Sequence, residues 1–260
     1  MVEKLFIYIE KSAIICYNKS KKGGATMKEK LLDDRFNKNH MIKRFMIFGD
    51  SYSTHKDYIP KEYAYYYCDE GRSPEQPVTK MRMQETWWGQ MIERTNAQLL
   101  LNDSWSGSTI GYTGYEGDCS TSSSFIYRYR KLMEQNFFAE NCIDTIIVFG
   151  GTNDSWTNAP LGEMKYSDFC EDDFYNVLPA ICYFMTMLKK NHPDTNLILI
   201  GNCEIKDEIL DCMIEAAERM NMTFVSLHDI DKVQDHPTVL GMTQICDQVI
   251  EKLKSCNFDL

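Results

Sequence analysis

Four times along this chain a short apolar run breaks into a polar turn. Phe45-Met46-Ile47-Phe48 ends at Gly49-Asp50-Ser51, and Leu99-Leu100-Leu101 at Asn102-Asp103-Ser104-Trp105-Ser106-Gly107. Ile146-Ile147-Val148-Phe149 ends at Gly150-Gly151-Thr152-Asn153-Asp154. Phe224-Val225-Ser226-Leu227 leads, after a short linker, to Asp235-His236-Pro237. Apolar runs of this length closed by turn residues read as buried strands. Polar residues just past the carboxyl ends of such strands lie where open α/β sheets bind their ligands.

Between the runs the pattern is helical. Thr86 caps a predicted helix over Trp87–Arg94, and further helices are expected over Ser122–Phe138, Asp172–Asn191, Asp207–Met220 and Thr238–Leu253. The strands are expected at Phe45–Phe48, Leu99–Asn102, Ile143–Phe149, Asn196–Gly201 and Thr223–Leu227. Strands alternating with helices imply a mostly parallel sheet covered on both faces. The expected architecture is therefore a three-layer αβα, flavodoxin-like fold with five strands. Trp87 and Trp88 are assigned to its core.

Three stretches stand outside this alternation. Residues 1–42 hold a brief apolar segment and a basic, glycine-containing stretch, and read as an extension to a domain over 43–260. The apolar segment is too short for a membrane span and lacks a clear cleavage site, so a cytoplasmic protein is expected. Residues 54–85 form a long irregular segment dense in tyrosine, expected as a lid or wall beside a site. His55 within it is expected to be a surface histidine or one that orders the loop. Residues 155–168 read as loop around Pro160 and Gly162.

Charge narrows the function. A formal net charge of −10 disfavours nucleic acid and anionic membranes, whose phosphates need a lysine and arginine surplus. The ten cysteines include no zinc-type Cys-x-x-Cys pair, and several sit in or beside apolar stretches, as buried free thiols do. No metal site and no cofactor fingerprint is present.

Ser51, Gly107, Asn153 and His236, each beyond a predicted strand and in that order, resemble the GDSL-type esterases and lipases, the SGNH hydrolases. The resemblance spans residues 43 to 255. It implies a serine hydrolase acting on an acyl or acetyl ester of a small molecule or carbohydrate. It implies Ser51 as nucleophile and His236 as base, with an oxyanion hole of Ser51 and Gly107 N–H groups and the Asn153 amide. Asp50 is expected to order the loop around Ser51, and Asp154 to be structural. The family's acid lies three residues before its histidine, and here that position is Val233. Asp231 is the first choice to orient His236, through a bulged loop. A Ser–His dyad comes next and Asp235 third. A binding module without turnover, or an acyltransferase, are the competing functions.

Overall fold

The computed structural model describes residues 40–260. Five strands build the central sheet: β1 (Arg44–Gly49), β2 (Gln98–Ser104), β3 (Thr145–Phe149), β4 (Asn196–Gly201) and β5 (Thr223–Ser226). Besides a four-residue helix over Phe137–Glu140, six longer helices accompany them among the described residues: α1 (Trp87–Thr95), α2 (Phe125–Glu134), α3 (Thr152–Trp156), α4 (Val177–Asn191), α5 (Asp207–Arg219) and α6 (Val239–Ser255). All five strands pair in parallel, in the order β2-β1-β3-β4-β5. The order reverses direction at β1, so a crevice opens between the carboxyl ends of β1 and β3, the switch point at which such sheets bind ligands.

Period-two alternation sorts the core into two layers. Met46, Phe48, Ile146, Val148, Leu197 and Leu199 face α2, α4 and α5, meeting Phe125, Phe184 and Met213 among others. Phe45, Ile47, Ile147, Phe149, Ile198 and Ile200 face α1 and α6, meeting Trp88, Met91, Ile245 and Val249. Both tryptophans of α1 are fully buried. β1 is therefore apolar on both faces because helices cover both.

Two helices depart from the expected bounds for local reasons. The run from Asp172 is divided: a 3₁₀ turn, Glu171–Tyr175, gives way to α4 only after Asn176, which is extended (φ −110°, ψ 139°). Pro179 explains this, because its ring would clash with the carbonyl of Tyr175 in a continuous helix but is tolerated in the first turn of α4. α2 starts at Phe125, where Ser124 accepts from the Tyr127 N–H, and the chain breaks at Asn136 with φ +56°. The segment read as loop from residue 155 begins inside α3, which runs to Trp156.

The expected extension over residues 1–42 lies outside the described residues up to residue 39. From there His40–Met41 pairs in parallel with Phe258–Asp259 at the chain's other end. Among the described residues no helix is long and apolar enough to cross a membrane. The nine described cysteines are free, with Cys182, Cys212 and Cys246 buried and Cys142 exposed.

Candidate active site

Ser51 follows β1 directly. The chain turns so sharply there that a Cβ on Gly49 would stand 2.4 Å from Ser104 Oγ and 2.7 Å from Ser53 Cβ. Asp50 pins the turn: its Oδ1 accepts the Tyr52 N–H at 3.0 Å and its carbonyl accepts the Ser53 N–H at 3.0 Å. Burial pushes the Asp50 carboxyl up to about 7, against the pull of the Tyr52 N–H. Asp50 thus orders the loop around Ser51, as the sequence suggests.

His236 arrives from the other end of the chain on a short hairpin. Lys232–Val233 pairs antiparallel with His236–Pro237. The turn residues Gln234 (φ +51°) and Asp235 (φ +60°) are both left-handed, which is the type I′ geometry that matches strand twist. Two tyrosines from the Ser51 side hold the hairpin. Tyr52 Oη donates to Asp235 O at 2.5 Å, and Tyr67 Oη donates to Pro237 O at 2.9 Å. Tyr66 stacks on the imidazole, with ring centres 3.6 Å apart and planes 7° apart.

His236 Nε2 lies 3.0 Å from Ser51 Oγ, and its Nδ1 lies 3.0 Å from Gln234 O. A carbonyl only accepts, so Nδ1 carries the proton and Nε2 is free to accept from the serine hydroxyl. Burial lowers the His236 pKa below the usual imidazole value, while the Gln234 carbonyl and the Asp235 charge act in the opposite sense. The ring is therefore neutral at neutral pH and able to take a proton.

The structure does not bring Asp231 to His236. Its carboxylate accepts from the Thr238 hydroxyl, its carbonyl accepts the Thr238 N–H at 3.1 Å, and its N–H donates to Gln244 Oε1 at 2.7 Å. Thr238 is the N-cap of α6 and accepts the Gly241 N–H at 3.2 Å. A Cβ on Gly241 would fall 2.1 Å from Asp231 O. Asp231 is thus built into the first turn of α6, where a carboxylate complements the helix dipole. The expected bulge through Lys232-Val233-Gln234 is replaced by the tight hairpin, and the main-chain carbonyl of Gln234 occupies Nδ1. Val233 is the cross-strand partner of His236, exposed and without an acceptor.

The other two family positions gather at the same sheet end. Gly107 has φ +83°, a conformation that favours glycine, although a Cβ would find open space apart from the Tyr115 ring at 3.9 Å. Asn153 lies in the first turn of α3 and is buried; its Nδ2 donates to Ser108 O at 2.9 Å and its Oδ1 accepts from Tyr115 Oη at 3.0 Å. One amide N–H remains for a ligand. Asp154 accepts the Ile110 N–H at 3.0 Å and the Gly111 N–H at 3.2 Å, tying the loop after Gly107 to α3. That is a structural role, as expected.

One organising residue carries no sequence signal. Arg128 lies on α2 and reads as an ordinary helix cation, yet it is 1% exposed. Its guanidinium pairs with Asp103 Oδ2 at 2.6 Å and donates to Gly49 O and to Ser108 Oγ, each at 3.3 Å. A single cation thus ties the strand end before Ser51 to the loop carrying Gly107. The tyrosine-rich segment is also only half legible: its density is plain, but Tyr66 against His236 is not. His55 is buried and bonds Met81 O at 3.0 Å, ordering that loop.

The family model described as GDSL-like Lipase/Acylhydrolase matches residues 43–253. A crystal structure from Bacteroides uniformis ATCC 8492, assigned as a GDSL-like lipase, is 38% identical, with 82% of this chain and 96% of that chain covered and a TM-score of 0.73. Another with the same assignment, from Bacteroides ovatus ATCC 8483, is 34% identical, with 82% and 99% covered and a TM-score of 0.74. A family two carbohydrate esterase from Clostridium thermocellum shares the fold at 14% identity, with 83% and 64% covered and a TM-score of 0.54. Comparison with curated proteins gives no match. A family match of that length, joined by two solved relatives aligned over nearly their whole extent, makes the chain a member of the GDSL-like lipase/acylhydrolase family, an ester-hydrolysing serine hydrolase.

Proposed function

We propose that the enzyme cleaves acyl esters through a Ser51–His236 dyad whose imidazole is oriented by the main-chain carbonyl of Gln234. One observation carries this reading: Ser51 Oγ and Gln234 O each stand 3.0 Å from opposite nitrogens of the same imidazole. His236 Nε2 takes the Ser51 proton as Oγ attacks the ester carbonyl carbon. The oxyanion that forms is held by the Ser51 and Gly107 N–H groups and the Asn153 amide. His236 then returns the proton to the departing alkoxide oxygen, leaving an acyl-serine. Water attacks that acyl group with His236 again as base, releasing the acid and free Ser51.

The imidazolium of these steps is met by the Gln234 carbonyl dipole and the nearby Asp235 charge. Tyr66 fixes the ring plane. For the alcohol part, a carbohydrate is supported by the half-buried Tyr63 and Trp105, whose rings lie 4.3 Å apart beside the Gly107 loop and give a sugar an aromatic face.

The test is a fluorophosphonate probe with mass spectrometry. The expected result is one adduct on Ser51, abolished in Ser51→Ala together with turnover of a short chromogenic ester. An adduct on another serine with Ser51 untouched overturns the nucleophile, and ester turnover that persists in Ser51→Ala overturns the mechanism.

A further inference from the structure

Tyr66 meets His236 in an arrangement that neutral rings avoid. The ring centres are 3.6 Å apart and the planes are 7° from parallel. Rings in van der Waals contact already stand about 3.5 Å apart, so these two lie almost squarely over one another. Such a sandwich sets the electron-rich faces of two neutral rings against each other. Aromatic pairs prefer an offset or inclined approach, with centres about 4.5–7 Å apart. The imidazole's two further aromatic neighbours follow that preference, Tyr52 at 5.4 Å and 57° and Trp156 at 6.3 Å and 67°. A cation over a ring face reverses the sign, because the negative face attracts it. The stack therefore suits the imidazolium better than the imidazole.

The stacked ring is held from both sides of the site. Tyr66 is buried, and its N–H donates to Thr54 Oγ1 at 2.9 Å, while the Thr54 hydroxyl donates to Ser51 O at 3.0 Å. Tyr67 meets the Tyr66 ring at 76°, with centres 5.0 Å apart, and donates to Pro237 O beside the histidine. Tyr66 is thus anchored to the nucleophile turn and to the histidine hairpin together. Little else favours a positive charge on His236. Nδ1 meets the neutral carbonyl of Gln234, Nε2 meets the Ser51 hydroxyl, and the Asp235 carboxylate is exposed to water. Lys232 and Arg72 act against the charge, and the Arg72 guanidinium lies 5.9 Å from the centre of the Tyr66 ring.

We infer that Tyr66 is a positioning residue for the base, whose ring face, with the Gln234 carbonyl, gives the imidazolium the stabilisation that a triad carboxylate otherwise supplies. This rests on the Ser51–His236 reading given above. The ring makes the contact and the hydroxyl takes no part in it. Tyr66→Phe therefore keeps the contact, and Tyr66→Leu removes it while leaving an apolar cover over the imidazole. Replacing Tyr66 by a phenylalanine with a fluorinated ring keeps the shape and weakens only the negative face.

The experiment compares wild type with these three variants. It measures kcat and KM for p-nitrophenyl acetate against pH, fluorophosphonate labelling of Ser51, and the titration of His236 by NMR in ¹³C-histidine-labelled protein, with His236→Gln assigning the signal. Tyr66→Leu is expected to lower kcat about tenfold at nearly constant KM and to move the His236 midpoint down by about one pH unit, the same lost cation–π contact read in two ways. The acid limb of kcat/KM should move with the midpoint. Tyr66→Phe should keep the wild-type midpoint, and the fluorinated ring should lower it toward the Tyr66→Leu value. The fluorinated variant also decides the question if Tyr66→Leu does not fold. A midpoint that stays or rises when the face is weakened or removed overturns the inference, and so does a Tyr66→Phe that loses as much as Tyr66→Leu. In both cases wild-type turnover and Ser51 labelling leave the dyad standing. A wild type that neither turns over esters nor labels at Ser51 removes the dyad and the inference with it.

Discussion

Replacing Asp231 by alanine separates a triad acid from a helix-cap partner, because the two roles fail in different measurements. The Asp231 carboxylate meets the Thr238 hydroxyl at the N-terminus of α6, whereas His236 Nδ1 is occupied by Gln234 O. Removing the carboxylate deletes a cap-supporting hydrogen bond and a favourable charge at a helix start, together worth about 1–2 kcal/mol. For a domain of this size that corresponds to a Tm lowered by about 3–6 °C. The imidazole keeps its partner and its tautomer, so kcat for a short ester should stay within about threefold of wild type. A true triad acid would instead lower kcat by about ten-thousandfold, through loss of the tautomer and of imidazolium stabilisation. The assay is kcat on p-nitrophenyl acetate near pH 8, paired with a thermal melt of the same preparation. Asp235→Asn belongs beside it: that carboxylate is exposed and water-screened, so its loss should lower kcat by no more than about fivefold. A hundredfold or greater loss of kcat in Asp231→Ala with an unchanged Tm would refute the dyad and restore Asp231 as the acid.

Asn153→Ala should lower kcat by about a hundredfold or more with KM nearly constant, and a loss confined to KM would make it a ground-state binding residue. The acid limb of kcat/KM should fall below pH 6.5: burial holds the His236 pKa under its ordinary value, so the neutral base is fully present at neutral pH and is lost only as pH drops through that lowered pKa. An acid limb centred above pH 7 would contradict this. The same sign governs stability, because His236 binds its proton more readily when unfolded and its contribution is lost as pH falls through 6.5 toward the folded value. Arg128→Met should destabilise the fold by about 3–5 kcal/mol in urea denaturation, because it leaves the Asp103 carboxylate buried without its cation. Stability within 1 kcal/mol of wild type, by contrast with the ~3 kcal/mol floor for a broken buried pair, would show that Asp103 is neutral in the fold.

The chain by itself determined the sheet, its two covering layers and the order in which Ser51, Gly107, Asn153 and His236 appear. The reason is local: alternating strand and helix periods state which residues must be buried, and a polar turn after a buried strand can lie only at the sheet's end. Asn196–Gly201 was legible to the residue, since six largely apolar positions sit between a proline-bearing turn and an asparagine. Tertiary structure alone decided what lies beside His236. Gln234 and Asp235 take left-handed conformations without the Asn-Gly or Asp-Gly signal of such turns, so the hairpin that carries the histidine was invisible, and with it the carbonyl that meets Nδ1. A main-chain carbonyl has no residue type to read, and Asp231 two residues behind the usual place of the acid looked like the nearest substitute. Arg128, Tyr66 and Tyr115 were hidden for a related reason. Their roles arise from contacts across long separations in sequence, Arg128 with Gly49, Tyr66 with His236 and Tyr115 with Asn153, and such contacts form only once the strands bring those segments to one end of the sheet.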